Sequence, residues 1–206
     1  MLDYVSGPVR ISLVTFALCG FIYPLAVTGA AQLLMPYPAN GSVRTSADGR
    51  IIGSQLVGQQ WNDPQWFHGR PSATVAPDPN DPANTVAAPY NAANTTASNL
   101  GPTSKTLLER LIADRRALEQ AQPELAGKLL PSDMLTTSGS GLDPDITPAN
   151  AALQVARVAG ARGVPSAQIA VVTAQHTTPR SLWIFGEPRV NVLELNLALD
   201  KVFPKQ

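Results

Sequence analysis

The sequence predicts an α+β protein, in which one N-terminal transmembrane helix is followed by a single mixed α/β soluble domain. The first observation behind this prediction is an apolar run without charged residues over residues 11–35. The second is the mixture of helical patterns and short β-branched runs over residues 36–206. In addition, the chain has a single cysteine, Cys19, which excludes an intrachain disulfide and a cysteine-based metal site.

The apolar run is long enough to cross a bilayer. At about 1.5 Å per helical residue it reaches about 37 Å, against a hydrocarbon core of about 30 Å. A helix is expected because it satisfies every backbone N–H and C=O group internally. Pro24 lies within the run, so the helix is expected to be kinked there, with Gly20 or Thr28 easing the distortion.

The same run also fits a cleaved signal peptide. Arg10 supplies a small basic region, residues 11–23 an apolar core, and Thr28-Gly29-Ala30 a sequence that resembles a cleavage site. The apolar character resumes after that site and continues to Met35. This continuation favours a membrane anchor over a signal peptide.

The orientation of the helix follows from the few basic residues near it. Arg10 precedes the helix, and the next basic residue is Arg44. The positive-inside rule therefore places residues 1–10 in the cytoplasm and residues 36–206 on the outer side of the membrane.

Small and polar side chains recur at helical spacing along one face of this helix. Such residues let a second membrane helix approach closely. The predicted interface residues are Ser12, Thr15, Cys19, Ala26 and Ala30. The alternative, that small residues are simply common in this segment, stays open.

The first part of the soluble domain combines a strand, aromatic residues and a long loop. Residues 51–57 predict a short strand or two between glycines, and Trp61, Trp66 and Phe67 are expected to pack in the core. Residues 72–102 are rich in Pro and Asn. They predict a long loop that is either functional or disordered.

A helix is expected over residues 103–122, where leucines follow a period of 3.6 residues. Thr106 and Glu109 fit a capping box, although Pro102 suggests an earlier start. Acidic and basic side chains alternate on the other face of this helix. They favour a solvated surface over an anion-binding patch.

The remaining elements are assigned from local signals. Thr147-Pro148 is a typical helix start, because Thr is a good N-cap and Pro is favoured at the first helical position. The other expected elements are strands at 129–137 and 182–185, an end of the first helix near 160–163, a short helix after Pro165, and a segment at 190–202 that alternates at first and is helical in its second half.

The sequence contains no recognisable catalytic motif. It lacks a P-loop and a dinucleotide-binding glycine motif, and Ser138 replaces the first glycine of a nucleophile elbow. The two histidines, His68 and His176, make only a weak case for a metal site. A hydrolytic pair of Ser140 and His176 stays open as an alternative.

A series of short phrases in a fixed order carries a resemblance to a known family. The phrases are YPL at 23–25, NGS at 40–42, GSQLVGQ at 53–59, FHGRPSA at 67–73, YN at 90–91, SNLGP at 98–102, SGSGLDP at 138–144, QVARVA at 154–159 and VNVLELNLALD at 190–200. The ordered set resembles the C subunits of the Kdp-type potassium-transporting P-type ATPases over nearly the whole chain.

The resemblance implies a non-catalytic accessory subunit of an ATP-driven, high-affinity potassium-uptake complex in the bacterial inner membrane. The implied partners are a potassium-channel-like subunit and a P-type pump subunit. Nucleic acid is not expected as a partner, because 15 basic and 15 acidic residues leave no net positive charge.

The resemblance also implies a catalytic-chaperone role, in which this subunit raises the ATP affinity of the pump subunit. A nucleotide contact near Gln154 is then expected, with no stably bound cofactor and with ATP present only in complex with the pump subunit. The expected topology conflicts with this contact, because a domain outside the cytoplasm cannot meet cytoplasmic ATP.

An outward domain over the channel mouth is the simpler expectation. A polar loop that contains Ser138, Ser140 and Asp143 could face a partner there, and a rigid turn is the alternative role for that loop. A second function class also stays open, a secreted or anchored extracytoplasmic binding protein, of which the secreted form would require cleavage near Ala30.

Overall fold

The computed structural model describes residues 2–46 and 48–204 of the chain. The chain divides into two compact units, Met1–Ile52 and Gly53–Gln206. Helices and small sheets of two or three strands follow one another along the chain. This mixture, preceded by one N-terminal apolar helix, confirms the predicted α+β class.

One long helix makes up most of the first unit. It consists of α1 (Leu2–Ala17), a π-helical turn (Leu18–Ile22) and α2 (Tyr23–Leu34). Within it, Tyr4–Leu34 is long and apolar enough to cross a membrane, with a mean hydropathy of 1.9 over its best window, none of which is buried inside the protein. The helix begins well before the predicted start at residue 11.

The π-helical turn lies directly before Pro24. Pro24 has no N–H group for the carbonyl of Gly20, and its ring would clash with that carbonyl in a regular α-helix. A π-helical turn is wider and relieves such a clash. The distortion expected at Pro24 therefore takes the form of this turn over Leu18–Ile22.

A short helix and a hairpin follow the long helix. They are α3 (Pro36–Ala39) and the paired strands β1 (Val43–Thr45) and β2 (Ile51–Ser54). The strand predicted over residues 51–57 is confirmed only in its first half. Its second half is a tight turn, in which Val57 N–H donates to the Ser54 carbonyl (3.4 Å).

The Pro- and Asn-rich residues 72–102, predicted to be a long loop that is either functional or disordered, contain a hairpin. Strand β3 (Val75–Pro77) pairs antiparallel to β4 (Thr85–Ala87). A side chain extends the pairing, since Thr74 Oγ1 donates to the Ala88 carbonyl (2.6 Å). Hydrogen bonds from polar side chains stabilise this region. A search for periodic apolar residues cannot predict such bonds, so the hairpin is not evident from the sequence.

Helix α4 (Lys105–Ala121) confirms the helix predicted over residues 103–122. Its N-cap is Ser104, whose Oγ accepts the N–H of Leu107 (3.3 Å), so the predicted capping box at Thr106 is wrong. The charged residues pair four positions apart, as a solvated face predicts. The pairs are Lys105–Glu109, Arg110–Asp114 and Arg115–Glu119.

The strand predicted over residues 129–137 is wrong, because the structure has a 3₁₀ turn there, Ser132–Met134. The carboxylate of Asp133 turns inward and accepts hydrogen bonds from Thr147 N–H (2.7 Å) and Asn150 Nδ2 (3.1 Å). This carboxylate supports the start of the next helix, which an extended strand would not allow.

The strand predicted over residues 182–185 is also wrong. These residues form a tight turn, in which Leu182 and Trp183 have φ angles of 51° and 67°. Bulky residues rarely adopt positive φ. The residue types of this segment favour a strand, but its backbone forms a turn instead.

The two helices that follow begin where the sequence predicted. Helix α5 (Pro148–Arg162) is capped by Thr147, whose Oγ1 accepts the N–H of Asn150 (3.1 Å), and it ends at Gly163 with φ 66°. Helix α6 (Ser166–Gln175) starts directly after Pro165, as predicted.

A three-stranded antiparallel sheet packs beside these helices. Its order is β5 (Asp145–Ile146), β7 (Arg189–Asn191) and β6 (Thr177–Thr178), and helix α7 (Val192–Val202) directly follows β7. The alternating start and helical continuation of residues 190–202 are thereby confirmed, although the helix occupies nearly the whole segment.

The hydrophobic core lies among α5, α6, α7 and the sheet. Its fully buried members include Phe67, Val158, Ile169, Val190, Leu195 and Leu199. Trp61 packs against this core, and the ring of Trp66 lies 5.2 Å from that of Trp61. The predicted packing role of these aromatic residues is confirmed.

Candidate functional site: a segment clamped between two helices

Residues 64–68 cross the C-terminal core without belonging to any strand or helix; we call them the clamped segment. Phe67 within it is fully buried. Its backbone N–H and C=O groups therefore need partners from side chains, because neither a strand nor water is available to supply them.

Two carboxamide side chains supply those partners. Asn196 on α7 accepts the N–H of Phe67 (2.9 Å) and donates to its carbonyl (3.0 Å). Gln154 on α5 does the same for His68, at 2.8 Å and 3.0 Å. Each amide thus replaces the backbone hydrogen bonds that a neighbouring β-strand would provide. Both side chains are buried, with 0% exposure for Asn196 and 3% for Gln154.

Two arginines of α5 hold the beginning of the clamped segment. Arg157 Nη1 donates to the Pro64 carbonyl (2.6 Å), and Arg162 Nε donates to the Gln65 carbonyl (2.9 Å). The Arg162 guanidinium also lies over the ring of Trp66, 4.6 Å from its centroid. Burial lowers the pKa of Arg157 to about 10, so it remains charged at neutral pH.

Gln154, for which the resemblance implies a nucleotide contact, has all its hydrogen-bonding groups in use. Besides its two bonds to His68, its Oε1 accepts from Arg157 Nη2 (2.6 Å) and its Nε2 donates to Asn150 Oδ1 (2.7 Å). A carboxamide has two N–H donors and one oxygen. A nucleotide would have to displace one of these partners, and the contact stays a prediction.

The polar loop at residues 138–143 is a closed turn. The hydroxyl groups of Ser138 and Ser140 accept backbone N–H groups of the same loop, and Asp143 forms an ion pair with Arg70. The distances are 2.8 Å from Gly141 N to Ser138 Oγ, 3.1 Å from Leu142 N to Ser140 Oγ, and 3.0 Å from Arg70 Nη1 to Asp143 Oδ2. These bonds match the rigid-turn alternative, and a contact with a partner stays a prediction.

Three glycines pack tightly around the junction between this loop and the clamped segment. A Cβ at Gly58 would lie 2.5 Å from the Asp143 carbonyl oxygen, one at Gly69 would lie 2.3 Å from Tyr90 Oη, and one at Gly141 would lie 2.7 Å from the Thr96 carbonyl oxygen. Only glycine fits at these positions without displacing its neighbours.

Tyr90 connects the parts of this junction. Its Oη donates to the Arg70 carbonyl (2.7 Å), and burial raises the pKa of Tyr90 to about 12. The hydroxyl therefore keeps its proton and remains a donor at physiological pH.

A cleft of about 390 Å³ opens beside the clamped segment. Among the residues that line it, Arg70 is paired with Asp143, Tyr90 donates to the Arg70 carbonyl, and His68 Nε2 donates to the Asp63 carbonyl (3.1 Å). These polar groups are thus already bonded to other groups of the protein, as in a structural framework.

The alternative catalytic pair is not formed. His176 Nδ1 donates to the Val172 carbonyl (2.9 Å), whereas Ser140 Oγ accepts the N–H of Leu142. Within residues 2–46 and 48–204, no three His, Cys, Asp or Glu side chains are grouped so that they could hold a metal ion.

The predicted helix face is brought together only in part. Ser12, Thr15 and Cys19 line one shallow groove on the long helix. Ala26 and Ala30 lie beyond the π-helical turn, which holds more residues per turn than an α-helix, and they do not line that groove. Whether these residues contact another membrane helix stays a prediction.

Comparison with known proteins identifies the family. Residues 5–201 match the family described as KdpC: K⁺-transporting ATPase, c chain. The chain belongs to the KdpC family. Its relatives include the potassium-transporting ATPase KdpC subunit of Bradyrhizobium diazoefficiens, which is 51% identical over 100% of both chains.

Two further KdpC subunits show the same extent of similarity. That of Rhodopseudomonas palustris is 52% identical and covers 96% of this chain and 97% of its own length. That of Methylorubrum extorquens is 53% identical over 89% of each chain. The family resemblance seen in the short phrases is thus confirmed. As a KdpC-family chain, the protein is a subunit and not an enzyme by itself.

Several phrases that resemble the KdpC family meet at the clamped segment. They supply Phe67 and His68 of that segment, the tyrosine beside it, the polar loop, and parts of the two helices that carry Gln154 and Asn196. Sequence reasoning singled out Gln154 but missed Asn196, Arg70 and Tyr90 as individual residues. A signal for Asn196 was present, because it is a polar residue between leucines on the buried face of α7.

The stability of the domain is expected to depend on pH through His68. Burial and the neighbouring Arg157 lower the pKa of His68 below its ordinary value of 6.5. Unfolded His68 then binds a proton at a higher pH than folded His68 does. The contribution of His68 to the free energy of unfolding is therefore fully present above about pH 6.5, and it is lost as the pH falls through the folded pKa.

A substitution tests this dependence. Thermal unfolding of the full chain in detergent is measured at about pH 7.5 and about pH 5.5, on either side of the ordinary histidine pKa. His68→Gln removes the titrating group, so its midpoint is expected to fall less between the two pH values. An equal fall in both proteins would show that His68 does not contribute.

Proposed function

We propose that this KdpC-family chain is an accessory subunit of an ATP-driven potassium-uptake complex, anchored by its N-terminal helix with residues 36–206 on the outer side of the membrane. The observation that carries the proposal is the family match over residues 5–201, together with relatives named as subunits of a potassium-transporting ATPase. A helix that could span a membrane at Tyr4–Leu34 supports it.

The proposed partners are a potassium-channel-like subunit and a P-type pump subunit. The groove at Ser12, Thr15 and Cys19 offers small and polar side chains where a partner helix could approach closely. The soluble domain then stabilises assembly of the two larger subunits. Its rigid framework around the clamped segment supports a scaffolding role.

An effect on the ATP affinity of the pump subunit is proposed to be indirect. Gln154 is buried and its amide holds His68, Arg157 and Asn150. A direct contact between Gln154 and ATP would require these bonds to break. Assembly with the pump subunit can favour its nucleotide-binding conformation without such a contact.

One engineered chain tests both the function and the orientation. Asn80 is exposed beside β3, and the natural chain has a single thiol, Cys19, within the long helix. Cells that contain the other subunits but lack this chain are expected to lose uptake at low external potassium. The Asn80→Cys chain is expected to restore it and to react with a membrane-impermeant thiol reagent in intact cells.

The unmodified chain is the matched control, because Cys19 lies within the predicted membrane span. Normal uptake in cells without the chain would contradict the accessory role. Labelling of Asn80→Cys only after permeabilisation would place the domain in the cytoplasm and would favour a direct role at the nucleotide.

A further inference from the structure

The connection between β6 and β7 carries an exposed apolar tip. Leu182, Trp183, Ile184 and Phe185 follow one another and are 77%, 89%, 70% and 62% exposed. Exposed apolar residues are usually scattered singly, whereas a contiguous patch marks an interaction site. We call residues 182–185 the apolar tip.

The backbone holds the apolar tip in a fixed turn. Ser181 and Phe185 exchange two hydrogen bonds, 2.8 Å and 2.9 Å, and an ion pair between Arg180 and Glu187 closes the base. Within this frame Leu182 and Trp183 have φ angles of 51° and 67°. Such angles are costly for bulky residues, and they persist only where the surrounding structure enforces them.

The features of the apolar tip favour a protein partner over a lipid surface. Amphipathic helices that bind membrane surfaces are usually rich in Lys and Arg, whereas residues 179–188 contain one Arg and one Glu, paired with each other. A fluid bilayer also requires no fixed turn. A protein pocket of defined shape does, because a preorganised element loses less entropy on binding.

We infer that the apolar tip is a docking element that inserts into an apolar pocket on an extramembrane surface of a partner subunit. Trp183 is its anchor, since tryptophan at the centre of an interface commonly carries much of the binding energy. The inference rests on the proposed function, because it requires a complex in which the chain is a subunit.

Photo-crosslinking tests this contact in the complete complex. A photoreactive phenylalanine derivative replaces Trp183 in the full chain, and membranes that contain all subunits are irradiated. The expected result is a covalent product with another subunit of the complex. The same derivative at Leu129, which is 95% exposed outside the tip, is the matched control. Products with lipid alone, or no more product than at Leu129, would overturn the inference.

Substitution gives an independent measurement. Trp183→Ser combined with Ile184→Ser is expected to reduce association with the partner subunits about tenfold or more, without lowering thermal stability, because both side chains are exposed. The control is Leu129→Ser. If the unmodified chain fails to co-purify with the other subunits, the proposed function fails. If it co-purifies and the double variant binds equally well, only the docking inference fails.

Discussion

Replacing Asn196 with alanine is expected to lower the free energy of unfolding by about 3 kcal/mol. The change leaves the N–H and the C=O groups of Phe67 without partners, and both were bonded to Asn196. Since the site is fully buried, water cannot replace the lost bonds. Thermal unfolding of the full chain in detergent, followed by circular dichroism, should show a midpoint lower by about 6–12 °C.

Asn80→Ala provides the control for this experiment. Asn80 is exposed, so its removal is expected to change the midpoint very little. An Asn196→Ala chain that unfolds at the same temperature as Asn80→Ala would mean that the clamped segment does not depend on α7.

Replacing Gly58 with alanine is expected to cost about 3 kcal/mol, because a new methyl group has no space. It would lie 2.4 Å from the Tyr90 ring and 2.5 Å from the Asp143 carbonyl oxygen. The backbone cannot simply move away, since Gly58 N–H donates to the Leu142 carbonyl (2.8 Å). The same thermal measurement checks this expectation, and potassium uptake should fall with stability.

Gly139→Ala is the matched control within the neighbouring loop. A Cβ at Gly139 would have no other atom within 4 Å, and its φ does not require glycine. Equal midpoints for the two alanine variants would contradict the tight packing assigned to Gly58.

Elements with strong local signals could be predicted from the sequence. The start of α5 depends on Thr147 and Pro148, whose capping and φ preferences act within one helical turn. The end of α5 depends in the same way on Gly163, which adopts positive φ readily. The long N-terminal apolar helix could be predicted because its composition differs from that of the rest of the chain.

Elements decided by tertiary contacts could not be predicted in this way. Residues 182–185 are typical of a strand by residue type, yet their backbone is turned by bonds between Ser181 and Phe185. Residues 129–137 likewise lose their strand because Asp133 binds the start of α5. In both segments a specific contact outweighs a weak β preference.

The candidate site was visible in the sequence only as family resemblance. Asn196 and Gln154 bind a backbone segment that no periodicity identifies, because its partners are two side chains on different helices. The residue types of the apolar tip predict an ordinary strand. Its proposed docking role depends on the solvent exposure of its four side chains, and residue types alone do not reveal that exposure.

The bond between Phe67 and Asn196 joins positions 129 residues apart in the chain. Contacts of such separation form late, because a long loop must close before they contribute. During synthesis, α7 must therefore be made before the backbone of Phe67 can form its hydrogen bonds with Asn196. The hydrogen bonds of the clamped segment can therefore be complete only when nearly all of the chain has been made.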